Sequence, residues 1–300
     1  MKPEDLPQRL FKTFLPRKTA NRVNRWYKFH RADYFLVSYP KCGRTWLRTM
    51  MSKYYTERYS LPGNLLLDFA NYHYMNREIP RIFFTNDALN NVLQGIAPPE
   101  TISRDKSAYY DRNVIYLARD PRDVVVSMYF QRTKRDRNYT GSLQDFIHND
   151  IGGLDTIIRF YNAWADSFPN IERLLILKYE EMRADPNRTL ARLLDFTGHT
   201  PDAGIIQNAI DACSFERMKR MERDNEFNRS WLKAENVNDD ESFKVRRGKI
   251  GGYSDYLDTD EIGVIDDRIN SSLAHCPACR RNSPPWYRTA PVSYTHLTLP

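Results

Sequence analysis

Residues 35–47 read FLVSYPKCGRTWL. The stretch begins as a short apolar run of the kind that forms a buried strand. It then turns through Pro40, Lys41, Cys42, Gly43 and Arg44 and runs on as a helix. A glycine-bearing turn between a strand and a helix N-terminus leaves backbone N–H groups unpaired beside a partial positive charge, which suits an anion. Lys41 and Arg44 add two full charges. The spacing is not G-x-x-x-x-G-K-[ST], so the loop is not the usual nucleoside-triphosphate loop.

Elsewhere strands alternate with helices and no internal repeat is visible. DYFLVS (33–38), RIFFT (81–85), NVIYLA (113–118) and RLLILKY (173–179) read as strands. Helices are expected over Thr45 to Tyr55 and from Arg122 to about Arg132. Ile157, Tyr161, Trp164, Ala165 and Phe168 share one face at 3.6-residue spacing. Asp185-Pro186 reads as the start of a further helix and Gly198 as its end. Strands separated by helices imply parallel pairing through right-handed crossovers, an open α/β sandwich. In such a sheet the ligand lies beyond the carboxyl ends of the strands, where the Lys41 loop is expected.

Composition sets the bounds. The 300 residues suffice for one large domain, and 45 Lys and Arg against 38 Asp and Glu give a net charge of +7, which favours an anionic ligand or surface. Four cysteines, Cys42, Cys213, Cys276 and Cys279, are too few and too scattered for a disulfide framework and suggest a reducing compartment. The first residues intersperse charges and prolines, unlike a signal peptide, and no window approaches the ~20 apolar residues of a membrane span. A soluble, cytoplasmic protein is the expectation.

Two more basic segments stand out. In YLARDPRDVVVSMY, Arg119 ends a strand and Ser127 lies two turns into the next helix; alone, Arg119 reads equally as a partner of Asp120 or Asp123. In FKVRRGKIGGYSDYL, adjacent Arg246 and Arg247 precede Gly248, so flexible backbone flanks two guanidinium groups able to grip a phosphate.

Taken together, the three segments resemble the sulfotransferases that use 3′-phosphoadenosine 5′-phosphosulfate (PAPS). YPKCGRTW, Tyr39 to Trp46, is similar to that family's Tyr-Pro-Lys-Ser-Gly-Thr-Thr-Trp loop. By this resemblance Lys41, Gly43, Arg44, Thr45 and the Cys42 backbone hold the 5′-phosphosulfate, and Trp46 stacks on the adenine. Arg119 and Ser127 match the 3′-phosphate motif with the same separation. Arg246, Arg247, Gly248 and Gly251 match the late Arg-Lys-Gly-x-x-Gly motif, although Gly252 and Tyr253 replace its acidic residue and Trp. YEEM, beginning at Tyr179, and CSFERMK, with Cys213 and Phe215, are similar to segments near the adenine.

The resemblance covers about residues 33–257 and implies a P-loop-like three-layer sandwich with a central parallel sheet of about five strands. It also implies sulfuryl transfer from PAPS to a hydroxyl or amine of a small-molecule, glycan or lipid acceptor, without a metal. Lys41 would neutralise the departing bridging oxygen. Residues 1–32 are expected to form a basic extension, 33–275 the sulfotransferase domain and 276–300 a tail.

One position departs from the family. FFTND places Asn86 where most members carry the His that takes the acceptor's proton, and Asn is not a base. Asp87 is the nearest ionisable candidate for the catalytic role, Asn86 then orienting the acceptor; a solvated helix cap is the other reading of Asp87. Some branches of the family use a carboxylate as base.

Several readings stay open or bland. A PAPS-binding protein without transfer activity is one alternative. An RNA-binding module is another, but the cations fall at three loops rather than along a groove, and no nucleic acid is expected. The N-terminal cations Arg17, Lys18, Arg22, Arg25 and Lys28 could meet an anionic membrane or simply be solvated. Cys276-Pro-Ala-Cys279 lacks a second ligand pair for zinc. The terminal VSYTHLTLP resembles translated adapter sequence and is set aside from the fold.

Overall fold

The computed structural model describes residues 16–63, 66–227, 229 and 232–273. Its centre is a parallel sheet of β1 (Tyr34–Ser38), β2 (Ile82–Thr85), β3 (Asn113–Ala118) and β4 (Arg173–Lys178), in the order β2-β1-β3-β4. The register sets Leu36 beside Phe84 and Ile115, and Ile115 beside Leu175. Strands at the middle of a parallel sheet are covered on both faces and so need no alternation of polar and apolar residues. Phe35, Leu36, Val37 and the whole run Val114 to Ala118 are accordingly buried. Among the described residues the sheet has four strands, one fewer than the resemblance implies and the same four that the apolar runs mark.

The helices form the outer layers. α1 (Arg17–Arg31) precedes the sheet, α2 (Arg44–Arg58) follows β1, and α3 (Phe69–Met75) leads to β2. α4 (Pro121–Phe130) and α5 (Leu154–Ala165) connect β3 to β4. α6 (Tyr179–Ala184), α7 (Pro186–Phe196), α8 (Ala203–Asp211), α9 (Phe215–Arg223) and α10 (Thr259–Ser272) follow. From β1 the chain crosses over to β2 on one side, and from β3 it crosses to β4 on the other. Right-handed crossovers in opposite directions put their helices on opposite faces. α2 thus packs with α7 and α8, and α4 packs with α5.

Ile157, Tyr161, Trp164, Ala165 and Phe168 are all buried, as their spacing predicts, with the Trp164 ring 5.7 Å from that of Tyr116 on β3. The start of α7 is capped by the Asp185 carboxylate, which accepts from the Arg188 N–H at 2.9 Å, and Gly198 beyond its end has φ 83°. The described part of the N-terminal extension is α1. Its Phe29 ring lies 4.8 Å from Phe35 and 5.6 Å from Tyr109, while Arg22 and Arg25 point into solvent. Among the described residues no helix is long and apolar enough to cross a membrane, and no group of three His, Cys, Asp or Glu is placed to hold a metal ion. Cys276 and Cys279 lie outside the described residues.

Because the two crossovers leave in opposite directions, the loops after β1 and β3 part from one another. A crevice opens between them at the carboxyl edge of the sheet, the usual ligand position in such folds.

Candidate active site

The loop after β1 is held in a conformation that its sequence explains. Gly43 has φ 88° and precedes α2 with no side chain capping the first turn. A Cβ there would stand 2.5 Å from the Tyr179 ring, so only glycine fits both the dihedral and the space. Lys41 is also left-handed, at φ 71°, a strained conformation for a residue with a side chain. Cys42 points the other way: its buried thiol meets the Tyr161 hydroxyl at 3.3 Å, and burial pushes the thiol up to about 12, so it stays protonated. Cys42 is fully buried and, unlike Lys41 and Gly43 on either side of it, does not line the cleft above the loop.

A cleft of about 650 Å³ opens over this loop. It is lined by Lys41, Gly43, Arg44, Thr45 and Trp46 from the loop and α2, by Asn86 after β2, and by Arg119 and Ser127 around β3 and α4. Tyr179, Cys213 and Phe215 line it from the β4 side, and Arg246, Arg247 and Gly248 close it from the late loop. Three motifs more than 70 residues apart in the chain therefore meet at one place, with the sheet edge as their floor.

Each group is positioned by identifiable contacts. Arg119 donates to the Lys41 carbonyl at 3.1 Å and the Lys249 carbonyl at 3.2 Å, pairs with Asp123 at 3.4 Å and lies 4.2 Å above the Tyr179 ring. It ties the first loop to the last one. Its carboxylate partner is Asp123, whereas Asp120 pairs with Arg122 at 2.6 Å. Asp123 also accepts from the backbone of Gly251 at 3.0 Å and Tyr253 at 3.1 Å, which fastens the late loop to α4. Trp46 donates its indole N–H to the Cys213 carbonyl at 2.9 Å and lines the cleft, with the Arg183 guanidinium 5.4 Å over its ring. Gly248, at φ 60°, passes so close to Phe215 that a Cβ would lie 2.8 Å from its ring.

Arg246 and Arg247 are less free than the sequence suggests. Arg246 pairs with Glu241 at 2.8 Å and lies over the Phe130 ring at 4.5 Å; Arg247 pairs with Asp255 at 2.9 Å. Both still line the cleft, with part of their donor capacity committed to these carboxylates.

The cleft is strongly cationic. Lys41 donates to the Gln131 side-chain carbonyl at 3.1 Å. Burial, with Lys244 and Arg135 close by, holds its ammonium well below the usual lysine range. Lys244 is pushed down to about 8 by burial and by Arg135 and Arg44. Cations crowded in this way favour an anionic ligand over a neutral one. Lys244, Gln131 and Asp123 carry no motif that marks them in the sequence; a basic residue just before Arg246-Arg247 was the only available signal for Lys244.

Asp87 does not join the site. Its backbone is left-handed, at φ 52°, and its carboxylate turns away from the cleft to meet the ammonium of Lys106 at 2.6 Å and the hydroxyl of Tyr109 at 2.9 Å. Lys106 is 2% exposed, so the carboxylate serves as the counter-charge of a buried lysine. The structure therefore sets Asp87 apart from the cleft and speaks against its reading as acceptor base: the left-handed turn at Asp87 sends its side chain to Lys106, while Asn86 lines the cleft. Asn86 does face the cleft, donating to the side-chain oxygen of Asn90 at 2.5 Å.

A parallel sheet with a glycine-bearing loop at its switch point and cations from two further segments around it has the arrangement of a P-loop-like fold. The family of the sulfotransferase domain matches residues 31–277, and the chain belongs to it. Among curated relatives, it is 28% identical over 262 residues to cytosolic sulfotransferase 16 of Arabidopsis thaliana, covering 80% of this chain and 76% of that protein. It is 27% identical over 271 residues to flavonol 3-sulfotransferase of Flaveria bidentis, covering 82% and 83%. Of solved structures, mouse sulfotransferase SULT7A1 complexed with PAP aligns over 81% of this chain and 85% of that one. Its TM-score is 0.54 at 20% identity, a likeness of fold. The chain is a sulfotransferase, an enzyme of sulfuryl transfer.

Proposed function

We propose that PAPS is the donor and that the cleft holds it along the path the three motifs trace. The observation that carries this reading is the meeting of the Lys41 loop, Arg119 and Ser127, and the Gly248 loop around one crevice. The phosphosulfate lies over the open first turn of α2, where backbone N–H groups and the helix dipole face it. The 3′-phosphate lies toward Arg119, Ser127 and the late loop, and the adenine lies against Trp46, with Tyr179 and Phe215 near. Lys41 faces the bridging oxygen of the phosphosulfate.

The reaction is an in-line displacement of PAP by a hydroxyl or amine of a small-molecule, glycan or lipid acceptor. Since the leaving group arrives with the donor, the protein's work is alignment and charge neutralisation, as in phosphoryl transfer. Flavonol is the acceptor named for one relative. The acceptor here enters from the side of the cleft where Asn86, Asn90 and Gln94 follow β2. Calorimetric titration with PAP, followed by incubation of labelled PAPS with a panel of alcohols, phenols and amines, tests the reading. Absence of PAP binding would overturn it.

Arg119 supplies a sharper test of the 3′-phosphate position. Arg119→Ala should weaken PAP by at least about tenfold, the loss of one charge-assisted contact, while barely affecting adenosine 5′-phosphosulfate, which lacks that phosphate. An equal loss for both nucleotides would put the 3′-phosphate elsewhere.

Donor affinity should also depend on pH with a defined sign. A phosphate anion favours the protonated form of Lys244, which is charged below about 8 and neutral above it. PAP binding should therefore take up protons and weaken as pH rises beyond 8, by up to about tenfold per pH unit for each proton linked. Titrations between pH 7 and 9.5 would read the slope, and a flat affinity would remove Lys244 from the phosphate site.

A further inference from the structure

With Asn86 in the expected base position and Asp87 locked to Lys106, the transfer lacks an assigned group to take the acceptor's proton. Among the described residues, two carboxylates line the cleft, Asp123 and Asp136, and no His or Glu does. Asp123 is 2% exposed and already engaged by Arg119 and by the N–H groups of Gly251 and Tyr253. It lies on the donor side, where a further negative function would oppose the phosphate.

Asp136 is placed differently. Beyond α4 the chain continues from Gln131 to Arg135 as a π-turn, closed by the Asp136 N–H donating to the Gln131 carbonyl at 2.8 Å. Such wide turns often serve to re-aim side chains at functional sites. Here Gln131 spans from Lys41 to Asp136: its side-chain oxygen accepts from the Lys41 ammonium at 3.1 Å, and its side-chain nitrogen donates to Asp136 Oδ1 at 2.9 Å. The ammonium that faces the leaving oxygen and the carboxylate stand at opposite ends of one carboxamide. In-line transfer puts the attacking oxygen on the side of sulfur away from the leaving oxygen, so a base belongs further along the cleft than Lys41, as Asp136 is by one carboxamide. The other Asp136 oxygen is left for that task, and the residue's exposure lets it return the proton to water. Charged groups around the same cleft end are Lys41 from the first loop, Arg132 from the π-turn and Lys244 from the late loop.

We propose that Asp136 is the general base of the transfer, since Asn86 cannot take a proton. This rests on the PAPS transferase reading above. As a lone pair of the acceptor oxygen bonds to sulfur, its O–H proton passes to the Asp136 carboxylate. The bond from sulfur to the bridging oxygen breaks, and its electron pair stays on the 5′-phosphate of the departing PAP, against Lys41.

Acceptor acidity provides the test. Asp136→Asn should lower kcat by about a hundredfold or more with an alkyl alcohol, the usual contribution of a general base. With a nitrophenol, which ionises easily, the loss should be several-fold at most, and PAP affinity should not change. Formate added to Asp136→Ala should restore part of the alkyl alcohol activity. Equal losses on both acceptors, a change in KM alone, or undiminished alkyl transfer would each overturn the assignment while leaving the transferase reading intact. A wild-type protein that binds PAP yet passes sulfate from PAPS to no acceptor would overturn both. Loss of PAP binding in Asp136→Asn would instead make the residue part of the donor site.

Discussion

Lys41→Ala should reduce turnover by about a hundredfold or more while changing PAP affinity only modestly, which is the pattern for a group that acts on charge developing in the transition state. The ammonium is the one full charge that the loop after β1 directs toward Gln131 and the acceptor side, while Arg119 is drawn toward the late loop. In the proposed binding mode PAP would keep its contacts with Arg119 and with the first turn of α2, so binding should survive. Stability should not fall with activity. Burial and the neighbouring Lys244 and Arg135 already work against the Lys41 charge, so removing it relieves repulsion in the empty cleft. An unchanged or raised melting temperature together with the loss of turnover is the expected pair of results, a familiar trade between stability and function. Equal losses in turnover and PAP affinity would reassign Lys41 to simple donor binding.

Much of this site is legible in the sequence because its chemistry is local. The Lys41 loop is a strand, a turn and a helix start in consecutive residues, and Arg119 with Ser127 repeats the arrangement after β3. Apolar runs mark the strands, most clearly β1 and β3, which are buried on both faces and so read as continuous apolar stretches. What the sequence conceals is pairing across the fold. Arg246 and Arg247 look like free phosphate grips until Glu241 and Asp255 are seen against them. Asp123 looks like a helix-start acid, yet it fastens a loop about 130 residues away. Asp87 looks available because it adjoins Asn86, and its partners Lys106 and Tyr109 come only after an intervening helix and loop. Asp136 falls in a polar, arginine-rich segment whose composition resembles any solvated loop, and only the π-turn returns it to the cleft.

Asp87→Asn should accordingly be a stability variant and not a catalytic one. Lys106 is 2% exposed and its ammonium meets Asp87 at 2.6 Å, with the Trp164 ring 5.4 Å away. Asn can still accept the Tyr109 hydroxyl, which burial and the neighbouring Asp87 carboxylate keep protonated, but it cannot balance the lysine's charge. Removing one partner of a buried ion pair costs about 3–5 kcal/mol, because the other charge is left in a poor solvent. In a protein of this size that corresponds to a fall in melting temperature on the order of 10 °C. Replacing both charges, as Asp87→Asn with Lys106→Met, should recover most of the loss, since an apolar side chain needs no partner there. Turnover per folded molecule, measured below the unfolding transition, should stay close to that of the unaltered protein in both variants. A base at Asp87 would give the reverse: transfer abolished at unchanged stability, with no recovery from the second substitution. The double variant separates the two roles because a lysine outside the cleft has no proton to exchange with the acceptor, whereas its buried charge responds directly to whatever replaces Asp87.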